Sequence, residues 1–179
     1  MLPRPTIEAF DRHLAAVGLR LEAVVIGGSA LALLGVTTRQ TRDFDILAPV
    51  LPREIAEAAR EFARAQHRLG IDLMDDWLNN GPMQVGDALP KAWQLRTRPA
   101  FEGRALVLTT LGRGDLLKTK LFALYDRGID LLDCIALAPT VAELDEAVPW
   151  LAEQDANPGW PTHVRATIAD LSRRLDRGL

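Results

Sequence analysis

The segment from Val24 to Leu47 constrains the fold of this chain more than any other. An apolar, β-branched run ends in Gly27-Gly28-Ser29, a short apolar stretch closes at Gly35, and Asp43-Phe44-Asp45-Ile46-Leu47 follows in alternation. The uncharged run from Ala23 to Val36 is shorter than the roughly 20 residues that span a bilayer, and the glycine pair interrupts it. The order is therefore strand, tight turn, short helix and strand.

The flanking chain supplies the remaining elements. Thr6 to Val17 predicts a helix, with Thr6 as N-cap, an apolar stripe of Ile7, Phe10, Leu14 and Val17, and Gly18 as the stop. Leu21 to Ile26 predicts a buried strand, Ser29 to Leu34 the short helix, and Phe44 to Leu47 the next strand, punctuated by Pro49 and Pro52. Pro52 to Leu69 predicts an amphipathic helix stopped by Gly70. Ile71 to Asp76 and Arg104 to Thr109 predict further strands, and Asn79-Asn80-Gly81-Pro82 predicts a turn. Residues 84–99 carry no readable period. After Gly114 the pattern becomes helical, over Asp115 to Tyr125, Ile129 to Leu137, Val141 to Gln154 and His163 to Arg177. The fold class is α+β, with an α/β core over residues 1–112 and a helical C-terminal region over 113–179 packed on it.

Composition narrows the function classes. Of the 179 residues, 48% are hydrophobic and 25% charged, a balance suited to a soluble globular protein, and the net charge of -3 supplies no global basic field for nucleic acid. Cys134 is the single cysteine, and with the scattered His13, His67 and His163 it builds neither a disulfide nor a zinc site. A reducing cytoplasm is the expected location. Glu8, Asp11, Arg12 and His13 exclude a signal-peptide core, and no membrane association is expected.

Gly27-Gly28-Ser29 lets the backbone turn sharply and approach a ligand without Cβ obstruction. The N–H groups opening the next helix then favour an anion, with the Ser29 hydroxyl as a further donor or a cap. The same pattern also suits a tight turn with no ligand. Neither a dinucleotide fingerprint nor a Walker loop is present. Asp43 and Asp45 project from one face of their strand, and two neighbouring acids repel unless a cation lies between them. A hard, oxygen-preferring ion such as Mg²⁺ (or Mn²⁺) meets that need and bridges to phosphate oxygens. Arg39, Thr41 and Arg42 precede the acids; the arginines offer phosphate pairing or carboxylate orientation, and equally suit plain loop charges.

Gly-Gly-Ser followed by Asp-Phe-Asp at this spacing resembles the signature of the polymerase β-like nucleotidyltransferase superfamily. The resemblance implies a nucleotidyltransferase-like mixed sheet with flanking helices. It implies nucleotide binding by Gly27, Gly28, Ser29 and Arg42, and metal binding and catalysis by Asp43 and Asp45. A second block, Asp115-Leu116-Leu117 with Lys120, Leu121, Ala123, Arg127, Asp130 and Asp133, is similar to that of the AbiE-type abortive-infection toxin branch. This implies Lys120 on nucleotide phosphate, tRNA as an acceptor modified by some relatives, and a cognate antitoxin as partner.

Chemically active members usually carry a third carboxylate on a later strand. Asp72 is the candidate general base, with Asp75, Asp76, Asp130 and Asp133 as competitors. The basic stretch of Lys91, Arg96, Arg98 and Arg104 around Trp93 and Phe101 is the candidate edge for RNA or antitoxin. Trp77, Trp93, Trp150 and Trp160 suit core anchoring better than base stacking. Two functions follow: a Mg-dependent enzyme moving a nucleotidyl group from a nucleoside triphosphate to an acceptor, or a non-catalytic nucleotide- or partner-binding module of the same fold.

Overall fold

Residues 3–176 are described by the computed structural model, and they divide into two compact units between Leu111 and Gly112. In the first unit the elements run α1 (Pro3–Ala16), β1 (Leu21–Ile26), α2 (Gly27–Leu33), β2 (Phe44–Ala48), α3 (Arg53–Arg68), β3 (Leu78–Asn79), α4 (Val85–Ala88), β4 (Arg98–Glu102) and β5 (Leu106–Thr110). The sheet order is β3-β2-β1-β5-β4. β1 pairs antiparallel with β2 and parallel with β5, so the sheet is mixed. The fold class is thus α+β, as expected.

Strand alternation decides the two faces of this sheet. Ala23 and Val25 of β1, Phe44 and Ile46 of β2, and Leu106 and Leu108 of β5 are buried in one cluster with Ile7, Phe10 and Leu14 of α1 and Ile55, Ala59 and Phe62 of α3. The other face carries Glu22, Val24, Asp45, Val107 and Thr109, none of them buried. Trp77 is fully buried in the cluster, where its Nε1 donates to Ala59 O at 3.1 Å and its ring meets Phe10 edge-on at 5.1 Å.

Several expected boundaries change. The first helix starts at Pro3, so Thr6 lies inside it and is no cap, and Val17 is half exposed beyond its end. Ile71 to Asp76 forms no strand. Ile71 and Met74 are exposed, only Leu73 enters the core, and pairing with β2 begins where Phe44 N donates to Trp77 O. Residues 84–99 hold α4, a 3₁₀ turn at Trp93–Arg96 closed by Trp93 Nε1 on Gly86 O at 3.1 Å, and the start of β4. Pro99 broke the strand pattern here, and it is tolerated because β4 is an edge strand.

The second unit is helical: α5 (Arg113–Arg127), α6 (Leu131–Ala136), α7 (Val141–Ala152) and α8 (Trp160–Asp176). Arg177, the expected end of the last helix, lies outside the described residues. Gly128 ends α5 in the left-handed region (φ 67°), and Asp130 repeats that turn (φ 68°) before α6. The reversal brings acids back onto α5. Lys120 Nζ meets Asp130 Oδ2 at 3.0 Å and Asp133 Oδ2 at 2.7 Å, with Lys120 and Asp133 both buried. Burial, with Asp130 nearby, pushes the neighbouring Cys134 thiol up to about 12. No helix among the described residues is long and apolar enough to cross a membrane.

One carboxylate ties α1 to the turn between β4 and β5. Asp11 is buried, and its Oδ1 accepts from Ala105 N at 2.8 Å and Leu106 N at 2.9 Å, while Oδ2 accepts from Arg104 N at 3.2 Å. Burial alone would raise its pKa, but the three backbone donors outweigh it and hold the carboxyl below its ordinary value. Two stability predictions follow from these buried charges. Asp11→Ala costs about 2–3 kcal/mol at neutral pH in urea unfolding, because three N–H groups lose their acceptor. The folded-state pKa is depressed, so this contribution is complete above the ordinary carboxylate value and fades as pH falls through the lowered one. The gap between wild type and Asp11→Ala therefore narrows in acid. Lys120→Met leaves two carboxylates facing each other without their cation and costs about 3–5 kcal/mol, read as a loss of stability in thermal or urea melts.

Candidate active site

The geometry begins at the end of β1. Gly27 adopts φ +77°, a left-handed conformation that L side chains rarely adopt, and turns the chain straight into α2. A Cβ built on Gly27 would stand 2.8 Å from Asp45 Oδ2. The glycine is required twice, by its backbone angle and by the carboxylate beside it. Strand register makes this proximity: β1 and β2 are antiparallel with Ile26 opposite Asp45, so the residue after Ile26 emerges beside that acid.

Gly28 faces a second set of groups. A Cβ there would lie 3.1 Å from an Arg39 guanidinium nitrogen and 3.9 Å from Thr41 Oγ1. Thr41 Oγ1 in turn donates to Asp43 O at 3.2 Å and contacts Asp43 Oδ1 at 3.4 Å. Asp43 immediately precedes β2, and the buried Phe44 between the two acids sends them to the face away from the core. Both acids are half-buried. The glycine bend, Asp45, Arg39, Thr41 and Asp43 thus form one cluster within the first unit.

Ser29 plays a different part from the one its sequence suggests. It is buried, and its hydroxyl donates to Ile26 O at 3.1 Å, so it closes the turn from inside. Nor does it cap α2, which has no side-chain cap and only seven residues. What the bend offers a ligand is clearance of the backbone, more than the field of a long helix. Both arginines are exposed, and it is the Arg39 guanidinium that lies near Gly28 at the bend. Arg39 stands four residues before the acid, and only the return of the loop toward Gly28 distinguishes it from its neighbour.

The other sequence candidates lie elsewhere. Asp72 sits on no strand; its side chain is fully exposed, 3.7 Å from His67 Nε2. Asp75 and Asp76 are exposed as well. Lys120, expected on phosphate, has its ammonium on Asp130 and Asp133, the two remaining candidates for a third acid. The position that parallel register sets beside Asp45 on β3 belongs to Asn79, which the sequence reading assigned to a turn. Among the basic residues, Lys91, Arg98 and Arg104 are exposed, while Arg96 bonds back to Lys91 O at 3.0 Å and Pro90 O at 3.3 Å. Trp77, Trp93 and Trp160 are buried and act as core anchors.

Among the described residues, no group of three or more His, Cys, Asp or Glu side chains could hold a metal ion. The pair of Asp43 and Asp45 still fits a magnesium-like cation, which typically takes one or two protein carboxylates and completes its shell with water and substrate phosphate oxygens. The sheet face bearing Asp45 also carries a hollow of about 270 Å³ lined by Glu22, Val24, Ala48, Pro49, Val107 and Thr109.

Neither the comparison with curated proteins nor that with solved structures gives a match. A family model described as "nucleotidyltransferase of unknown function (DUF6036)" matches residues 6–141, which include the glycine bend, both aspartates, Asn79 and the Lys120 pairing. With more than half of its length matched, the chain belongs to this family of nucleotidyltransferases of unknown function.

Proposed function

We propose that the first unit binds a nucleoside triphosphate with Mg²⁺ or Mn²⁺ and transfers its nucleotidyl group to an acceptor. The observation that carries this reading is the placement of Asp45 Oδ2 against Gly27, which joins an acid pair to an unobstructed backbone bend. In the reaction an acceptor hydroxyl oxygen forms a bond to the α-phosphorus and gives up its proton to solvent, the bond from that phosphorus to the bridging oxygen breaks, and pyrophosphate leaves with the electron pair. The cation, when bound, neutralises charge on the phosphates and acts as a Lewis acid at the α-phosphate. Asp43 and Asp45 hold it, Thr41 orients Asp43, and Gly27 and Gly28 admit the triphosphate. Arg39 pairs with phosphate charge at the bend. Catalysis on this scheme comes from positioning and charge neutralisation.

The similarity of the block around Lys120 to AbiE-type toxins extends the reading to a toxin of a toxin–antitoxin pair, acting in the cytoplasm on tRNA and held by a cognate antitoxin. What supports the extension is the resemblance of the block from Asp115 to Asp133. A second reading, a nucleotide- or partner-binding module without turnover, is favoured by the amide of Asn79 beside Asp45 and by the exposure of Asp72.

Two outcomes test the site. Incubation with each labelled triphosphate, Mg²⁺ and total tRNA transfers label to RNA, and Asp43→Asn or Asp45→Asn lowers that transfer by about 10²–10³-fold with the fold intact. Triphosphate binding without label transfer supports the binding module; absence of any triphosphate affinity at millimolar ligand removes both readings. Gly27→Ala forces a Cβ onto Asp45 and a strained φ, so it lowers stability by about 1–2 kcal/mol. It also weakens triphosphate binding, measured by titration calorimetry.

A further inference from the structure

Asn79 is the residue of the acid-bearing sheet face that sequence reading left out. β2 and β3 pair in parallel, with Phe44 opposite Leu78 and Asp45 opposite Asn79. Phe44 and Leu78 both enter the hydrophobic core, so the next residue on each strand projects to the opposite face, where Asp45 lies. Residues opposite each other on neighbouring strands lie side by side. Asn79 therefore sits where one more carboxylate would join Asp43 and Asp45, and it supplies an uncharged amide there.

The amide is also fixed. Asn79 Oδ1 accepts from Gly81 N at 2.7 Å, and its Nδ2 donates to Asp76 O at 3.4 Å. An aspartate here would keep the short bond from Gly81 N and give up the longer one to Asp76 O, its second oxygen standing in place of Nδ2 and available to a cation. The alternative acids are no substitute: Asp72, Asp75 and Asp76 are exposed off the strands, and no three-residue ligand group occurs among the described residues.

Resting on the proposed nucleotidyl transfer, we infer that Asn79 limits the sheet's contribution to two carboxylates, so that a divalent cation binds firmly only when a triphosphate supplies further oxygen ligands. Affinity for hard cations follows the number and charge of the oxygen ligands. With a neutral amide in the third place, the free protein holds the ion weakly. Metal and nucleotide then enter as one complex, and Asn79 sets that dependence.

The test is Mn²⁺ binding to the full chain, followed by electron paramagnetic resonance with and without a non-hydrolysable triphosphate analogue. Asn79→Asp and Asp45→Asn are measured beside the wild type, and thermal melts report folding. The wild type binds Mn²⁺ at least about tenfold more tightly with the analogue than without it. Asn79→Asp, with its melt preserved, tightens binding without the analogue by about tenfold or more, and the difference between the two conditions shrinks. Asp45→Asn loses Mn²⁺ binding in both conditions. An unchanged Mn²⁺ affinity in a folded Asn79→Asp protein overturns the inference, as does a wild type that binds equally well without the analogue; both leave nucleotidyl transfer standing. Absence of any Mn²⁺ or analogue binding in wild type and Asn79→Asp alike removes the functional reading itself.

Discussion

The carboxylate of Asp45 and the missing side chain of Gly27 share the same few ångströms, and the candidate site follows from that fact. Antiparallel pairing of β1 and β2 puts Ile26 opposite Asp45, and the left-handed turn at Gly27 brings the backbone beneath the acid. A side chain at Gly27 would displace the carboxylate, and a shift of register by one residue would carry it into the hydrophobic core. The buried Phe44 and Ile46 oppose such a slip, so the packing of one sheet face fixes the chemistry of the other.

Much of the site was legible in the sequence because it is local. Gly27, Gly28, Asp43 and Asp45 fall within nineteen positions (27 to 45), and strand-turn-helix-strand is read from period and punctuation alone. Asn79 was not legible, because its meaning comes from pairing with a strand more than thirty residues earlier, and a two-residue strand has no period to detect. The choice between Arg39 and Arg42 depended on the path of an irregular loop. Ser29 was recognised as part of the turn, but only coordinates distinguish a hydroxyl bonded inward to Ile26 from one offered to a ligand.

The fold divides along the same line. β1 and α3 were found nearly to the residue, since continuous apolar character and a strong amphipathic stripe need no distant partner. The supposed strand at Ile71 to Asp76 failed because alternation there reflects a single anchor, Leu73, ahead of Trp77. In the second unit, Lys120, Asp130 and Asp133 were singled out as a group, but their relation depends on two successive left-handed residues that end one helix and reverse into the next. Linear spacing on a helix cannot express that geometry.

The link from Asp11 to the amides of Ala105 and Leu106 spans up to 95 residues, and β5 lies directly beside β1 in the finished sheet. During synthesis, the strands carrying the glycine bend and the aspartates leave the ribosome long before β5 does. Until then β1 presents an open edge, available for pairing with other chains. The order of the sheet thus makes the nascent chain most vulnerable to aggregation along the strand that later lies at the middle of the fold.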